Sequence, residues 1–161
     1  MPKSNSKPST AFVAQLNWEV IPQDASTLFD VFGLKVAPIP VYHGENYLSL
    51  GYAFGLDSKK FVYLSDVSSV PEESMKVMKQ YEQIEYLVID CLAWKSNCPT
   101  HLNFDQALAL VRELKPKHAL LTGVCHDFNH DRDNEKLREM LAEEGLDVQL
   151  AYDGQEIPLE L

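Results

Sequence analysis

The sequence predicts an α/β domain built on a mixed sheet, and three observations carry that prediction. Strand-like and helix-like segments alternate through the middle of the chain. Two short runs, Tyr86–Asp90 (YLVID) and His118–Thr122 (HALLT), are almost continuously apolar, the pattern of strands covered on both faces. Upstream of them, Tyr47–Leu56 and Lys60–Leu64 flank Asp57 and Ser58, which reads as an antiparallel hairpin closed by a short turn.

Taken in order, residues 1–10 (MPKSNSKPST) are rich in Ser, Lys and Pro and lack a packing face, so a disordered tail is expected before a domain spanning 11–161. Leu16–Ile21 (LNWEVI) has the apolar positions of a short strand, and Pro22–Asp30 reads as a connecting loop. Leu34–Val41 alternates into a strand, but Pro38 and Pro40 remove two backbone donors, which points to an edge or bulged strand. That segment runs out at His43, before a tight turn at Gly44. After Asp66, Ser69 is a candidate cap with Pro71 in the first turn and Glu72 three residues on, predicting a helix that turns Val70, Met75 and Met78 inward. Asn103 is a candidate cap for a helix over Phe104–Leu114, stopped by Pro116. Asp133 is a candidate cap for Asn134–Glu144, with Gly145 as its left-handed stop. Val148–Ala151 and Glu156–Leu159 read as closing strands joined by a turn at Tyr152–Gly154.

Composition limits the function. At 161 residues with 45% hydrophobic content the chain suits one globular domain, and no internal repeat is visible. A net charge of −10 with pI near 4.8 argues against a nucleic-acid surface, because no basic patch is available to meet a duplex. No segment is long and apolar enough to cross a bilayer. Cys91, Cys98 and Cys125, without an apolar leader, predict a reducing compartment, and the cytoplasm is the expected location. Their spacing fits no zinc knuckle. Neither a P-loop, a GxGxxG nor a nucleophile elbow follows any strand.

Polar residues collect at four strand ends: His43, Asp66, the loop from Asp90 to His101, and the loop from Gly123 to Asp131. In open α/β sheets ligands bind beyond the carboxyl ends of strands, so these places can share one cleft. An imidazole and a carboxylate meeting there suit a divalent cation, although a strand-terminal His or Asp is more often a turn former or loop cap. His126 and His130 are spaced i, i+4, one side of a helical turn, with Asp127 and Asp131 beside them; a solvated loop reads the same way.

Four stretches in order, PIPVYHGENYLSLGYAFG, YLSDVSSVP, YLVIDCL and THLNFDQALALVRELKPKHALLTG, together resemble the metallo-β-lactamase superfamily. Within it they are similar to the phosphodiesterase branch that includes phosphoribosyl 1,2-cyclic phosphate phosphodiesterase. The resemblance runs from about Leu16 to Pro158 and implies the C-terminal half of a four-layer αββα sandwich, with a mixed sheet and about three helices. It implies a hydrolase using two divalent ions, zinc or manganese, on a small-molecule phosphodiester. By motif, it makes His43 a metal ligand, Asp66 the carboxylate that bridges two ions, and His101 the group that binds phosphate or protonates the leaving oxygen. Two departures stand out. The family's HxHxDH ligand motif is absent from the sequence, and Gly123 stands where a histidine ligand often follows the LLT strand, so His126 would substitute only if its loop folds back. A two-ion centre needs about five ligands, so weak or no metal binding by this chain alone is expected. So is an exposed apolar sheet face, to be covered by a partner protein or a second copy of the chain.

Overall fold

The computed structural model describes residues 16–160. Seven strands form one sheet in sequential order: β1 (Phe29–Val31), β2 (Leu34–Tyr42), β3 (Leu48–Leu56), β4 (Lys59–Leu64), β5 (Ile84–Asp90), β6 (His118–Thr122) and β7 (Val148–Leu150). The first four run antiparallel in register, and β4 through β7 are parallel. Helices α1 (Glu72–Met78), α2 (Phe104–Leu114) and α3 (His130–Leu141) supply the three parallel crossovers. The expected α/β class, mixed sheet and three helices are therefore what the chain adopts.

Alternation decides where the core sits. Ile39, Val41, Val62, Leu64, Leu87, Ile89, Leu121 and Leu150 point to the helix side, where they pack with Met78, Leu108, Val111, Leu137 and Leu141. Their neighbours along the strands face the other way. Phe29, Val31, Leu34, Val36, Tyr52, Phe54, Phe61 and Tyr63, with Ile21 beside them, line an open apolar groove of about 490 Å³ on that second face. The exposed apolar sheet face expected from the sequence is present, and no helix of the described chain covers it.

Several boundaries differ from expectation, each for a local reason. LNWEVI is not a strand: Leu16, Trp18 and Val20 are exposed, and an alternating pattern forms a strand only where another strand offers its edge. The loop over Pro22–Asp30 instead ends in β1, whose Phe29 rests edge-on against Tyr52. Pairing with β1 stops at Val36, so Pro38 and Pro40 lie where β2 has a strand neighbour on one side only. Ser69 does not cap α1. Its carbonyl accepts the Tyr42 amide, and the helix begins after Pro71 without a side-chain cap. Helix α3 starts four residues early, capped by Asn129 rather than Asp133. Residues 156–159 form no strand.

Candidate metal centre

Because β2 and β4 are both antiparallel to β3, their carboxyl ends lie on the same edge of the sheet, and the parallel strands β5 and β6 end there too. His43 follows β2 and Asp66 follows β4. The two turns are tied together: the Tyr42 carbonyl accepts the Ser68 amide at 2.7 Å and the Ser68 hydroxyl at 3.0 Å, while the Gly44 amide donates to Ser68 Oγ at 2.9 Å. Gly44 has φ +91°, which a side chain would strain, and a Cβ there would press on Thr100 at 3.3 Å. Asp66 itself sits in the left-handed region, φ +53°, a conformation that Asp tolerates better than most residues.

The loop after β5 returns over the same edge. Leu92 donates its amide to the Leu102 carbonyl, and Phe104 donates to Ala93, so Thr100 and His101 are brought back to the strand ends. Asn103 then opens α2 with a reciprocal cap: its Oδ1 accepts the Gln106 amide at 3.0 Å, and Gln106 Oε1 accepts the Asn103 amide at 2.9 Å. The result is a cluster in which one ligating atom each from His43, Asp66 and His101 lie within 4.8 Å of one another.

Both imidazoles are held at Nδ1. His43 donates from Nδ1 to the Thr100 carbonyl at 2.8 Å, and His101 donates from Nδ1 to Asp90 Oδ2 at 2.6 Å. A carbonyl or carboxylate can only accept, so each ring, when neutral, keeps its proton on Nδ1 and leaves Nε2 as the nitrogen with a free lone pair. The two rings meet edge to face, 4.8 Å between centroids. Burial of His101 opposes its protonation, but the hydrogen bond and charge of Asp90, helped by Cys98 and Asp66, outweigh it and raise its pKa above the ordinary imidazole value.

The donor set fits a divalent cation in kind: two imidazole nitrogens, oriented from behind by an acceptor, and one carboxylate. It falls short in number, with three donors against about five for a two-ion centre. His126 lies outside this trio. It occupies a turn ahead of α3, almost wholly exposed, and its neighbouring candidate ligands are Cys125 and Asp127, also within 4.8 Å of one another. His130 is drawn away instead, into the first turn of α3, with Nε2 against the Leu150 carbonyl at 3.1 Å. His126 and His130 thus share no helical turn. The sequence offers no sign of the Thr100 carbonyl as a partner for His43, since every residue carries a carbonyl; Asp90 was visible as a strand-end carboxylate, but its partner was not.

A mixed sheet with helices on one face and imidazole and carboxylate groups gathered beyond its strand ends defines the class, an α/β domain with a candidate metal centre at its strand ends. The chain belongs to the β-lactamase superfamily: the family model for the beta-lactamase superfamily domain matches residues 2–124. A crystal structure of a diphosphatase from the PhnP family is 35% identical with a TM-score of 0.66, covering 84% of this chain and 48% of its own, so the PhnP-like branch fits. The metallo-beta-lactamase fold protein YhfI from Bacillus subtilis, 17% identical, has a TM-score of 0.62 over 82% of this chain and 52% of its own. The short form of human tRNase Z, also 17% identical, has a TM-score of 0.56 over 83% of this chain and 45% of its own. These last two likenesses are of fold. The chain spans about half the length of all three. No curated protein matches it significantly. No helix among the described residues is long and apolar enough to cross a membrane.

Proposed function

We propose that this chain is part of a metallo-β-lactamase-fold hydrolase related to metal-dependent phosphodiesterases, and that alone it holds at most one divalent ion weakly and does not turn over substrate. His43 and Asp66 are the ligands it contributes, His101 faces the phosphate or leaving oxygen of a small phosphodiester, and His126 joins only after its loop moves inward. The observation that carries this reading is the donor count: one ligating atom each from His43, Asp66 and His101 within 4.8 Å, against about five ligands for a two-ion centre. Zinc or manganese, when bound there, would supply a Lewis acid and an activated water; the chain's own part is to fix two Nε2 atoms and one carboxylate.

Calorimetric titration with zinc and with manganese tests it. One weak site lost in His43→Ala is expected, and two tight sites overturn the reading. Bis-p-nitrophenyl phosphate with added manganese should be hydrolysed no faster than in buffer. A second reading, a non-catalytic module that packs through its open sheet face onto a protein partner or a second copy, is favoured by the apolar groove from Phe29 to Tyr63. It predicts concentration-dependent association in size-exclusion chromatography, abolished by Phe61→Lys; a monomer at all concentrations counts against self-association.

A further inference from the structure

Two apolar surfaces of this chain lack a cover among the described residues, and they adjoin. One is the groove over β1–β4. The other is the arm Leu16–Val20, in which Leu16, Trp18 and Val20 alternate with Asn17 and Glu19, so an extended chain turns all three apolar side chains to one side. These three are 66%, 85% and 99% exposed, and Asn17 and Glu19 are exposed as well, so the arm stands off the molecule instead of lying on its own groove. Directly after the arm, Ile21 is part of the groove wall.

We infer that the open sheet face is closed by a second copy of this chain through reciprocal exchange of the arms, with Trp18 of each copy seated on the aromatic floor that Tyr52, Phe54, Phe61 and Tyr63 form in the other. Arm and groove match in size. Five extended residues span about 17 Å, and the outer strands of a four-stranded groove stand about 14 Å apart, so one arm crosses all four strands. They match in charge as well. No residue lining the groove is charged, and Glu19, the arm's single charge, falls on its polar side, so the chain's net charge of −10 places no repulsion inside the contact. Because arm and groove belong to one chain, two copies related by a two-fold axis can each fill the other. Seating both arms would take roughly 1,500 Å² out of solvent, within the range of about 1,200–2,000 Å² for a stable interface. The exchange rests on the second reading above, that this face is a docking surface, and it specifies what docks there and through which residues.

Trp18 reports its own burial. In a Trp94→Phe background, which leaves Trp18 as the only tryptophan, acrylamide quenching of the full chain is followed across a dilution series beside size-exclusion chromatography. Trp18 is expected to be shielded several-fold at high concentration and fully quenchable on dilution, with the same midpoint as the change in elution volume. Trp18→Ser should elute as a monomer throughout. Since that side chain stands in solvent in the single copy, the urea midpoint of the dilute variant should equal that of the wild type, which separates lost exchange from lost folding. Phe61→Lys in the same background, which spoils the groove and keeps the arm, should leave Trp18 quenchable at every concentration. The exchange is overturned if Trp18 in the Trp94→Phe protein is equally quenchable at every concentration, if it is shielded at every dilution, which would mean that the arm closes over its own groove, or if Trp18→Ser associates as the wild type does. In that last case a monomeric Phe61→Lys keeps the docking surface and discards only the arm; a wild type that never associates discards both.

Discussion

Asn103→Ala isolates the contact that returns the loop after β5 to the strand ends. Asn103 is buried, and its side chain does two jobs. Oδ1 caps α2 through the Gln106 amide, and Nδ2 donates to Asn97 Oδ1 at 2.9 Å. Losing an Asn cap costs about 1 kcal/mol, and losing a neutral hydrogen bond about another 1 kcal/mol, so a total of about 2 kcal/mol is expected. With a urea m-value of about 2 kcal/mol per M, the unfolding midpoint should fall by about 1 M while m stays constant. Asn103→Asp keeps the capping oxygen and adds a favourable negative charge at the helix N-terminus, but loses the donor to Asn97, so it should recover at least half of the loss. An alanine variant within about 0.5 kcal/mol of the wild type, or an aspartate variant no better than alanine, would refute the assignment of the cap.

The cysteines should differ sharply in reactivity. Burial, with smaller contributions from Asp90 and Cys125, pushes the Cys91 thiol up to about 12, whereas hydrogen bonding to Thr100 lowers that of Cys98, so alkylation at neutral pH with peptide mapping should label Cys98 first and leave Cys91 unmodified until unfolding. Asp133 should make acid unfolding steeper. Its carboxylate accepts from Arg132, the Asn129 amide and Lys136, and Arg132 chiefly holds it well below the ordinary carboxylate range against the opposing effect of burial. A depressed pKa stabilises the fold above the unfolded value of about 4, and that stability drains away as pH falls below it. The urea midpoint of the wild type should therefore drop faster than that of Asp133→Asn below about pH 4, and parallel profiles would refute the role. Gly51→Ala should cost about 2 kcal/mol or more, because a Cβ would lie 2.5 Å from Leu64 and 2.6 Å from the Tyr63 carbonyl; an unchanged midpoint would show that β3 can give way there.

Elements whose ends are set by their own residues were legible in the sequence. Asn103 and Pro116 bracket α2, Asp57 and Ser58 announce the β3–β4 turn, and the continuous apolar runs of β5 and β6 mark strands buried on both faces, as Leu87, Val88, Leu120 and Leu121 are. Elements whose ends depend on distant backbone were not. Ser69 has the chemistry of a cap, but its carbonyl is taken by Tyr42; Asp133 has it too, yet it sits inside the first turn of α3 and bonds back to Asn129. The missing strand at 156–159 has a similar cause. The Leu150 amide donates to Asn134 Oδ1 and its carbonyl meets His130 Nε2, so α3 takes edge groups of β7 that a further strand would need.

The same division runs through the candidate centre, and it explains why part of it could be read. A polar residue just past an apolar strand is visible without knowing the fold, which is how His43 and Asp66 stand out. What secures them is not visible. His43 leans on a carbonyl 57 residues away, His101 leans on a carboxylate 11 residues back, and the Asp66 turn shares that carboxylate through Val67. Each of these anchors comes from a strand end or the loop that follows it, and none from the open apolar face. The geometry of the three donors is therefore set by bonds among those loops, whereas the number of donors is not, so the orientation of each group and the capacity to bind an ion are separable properties of this fold.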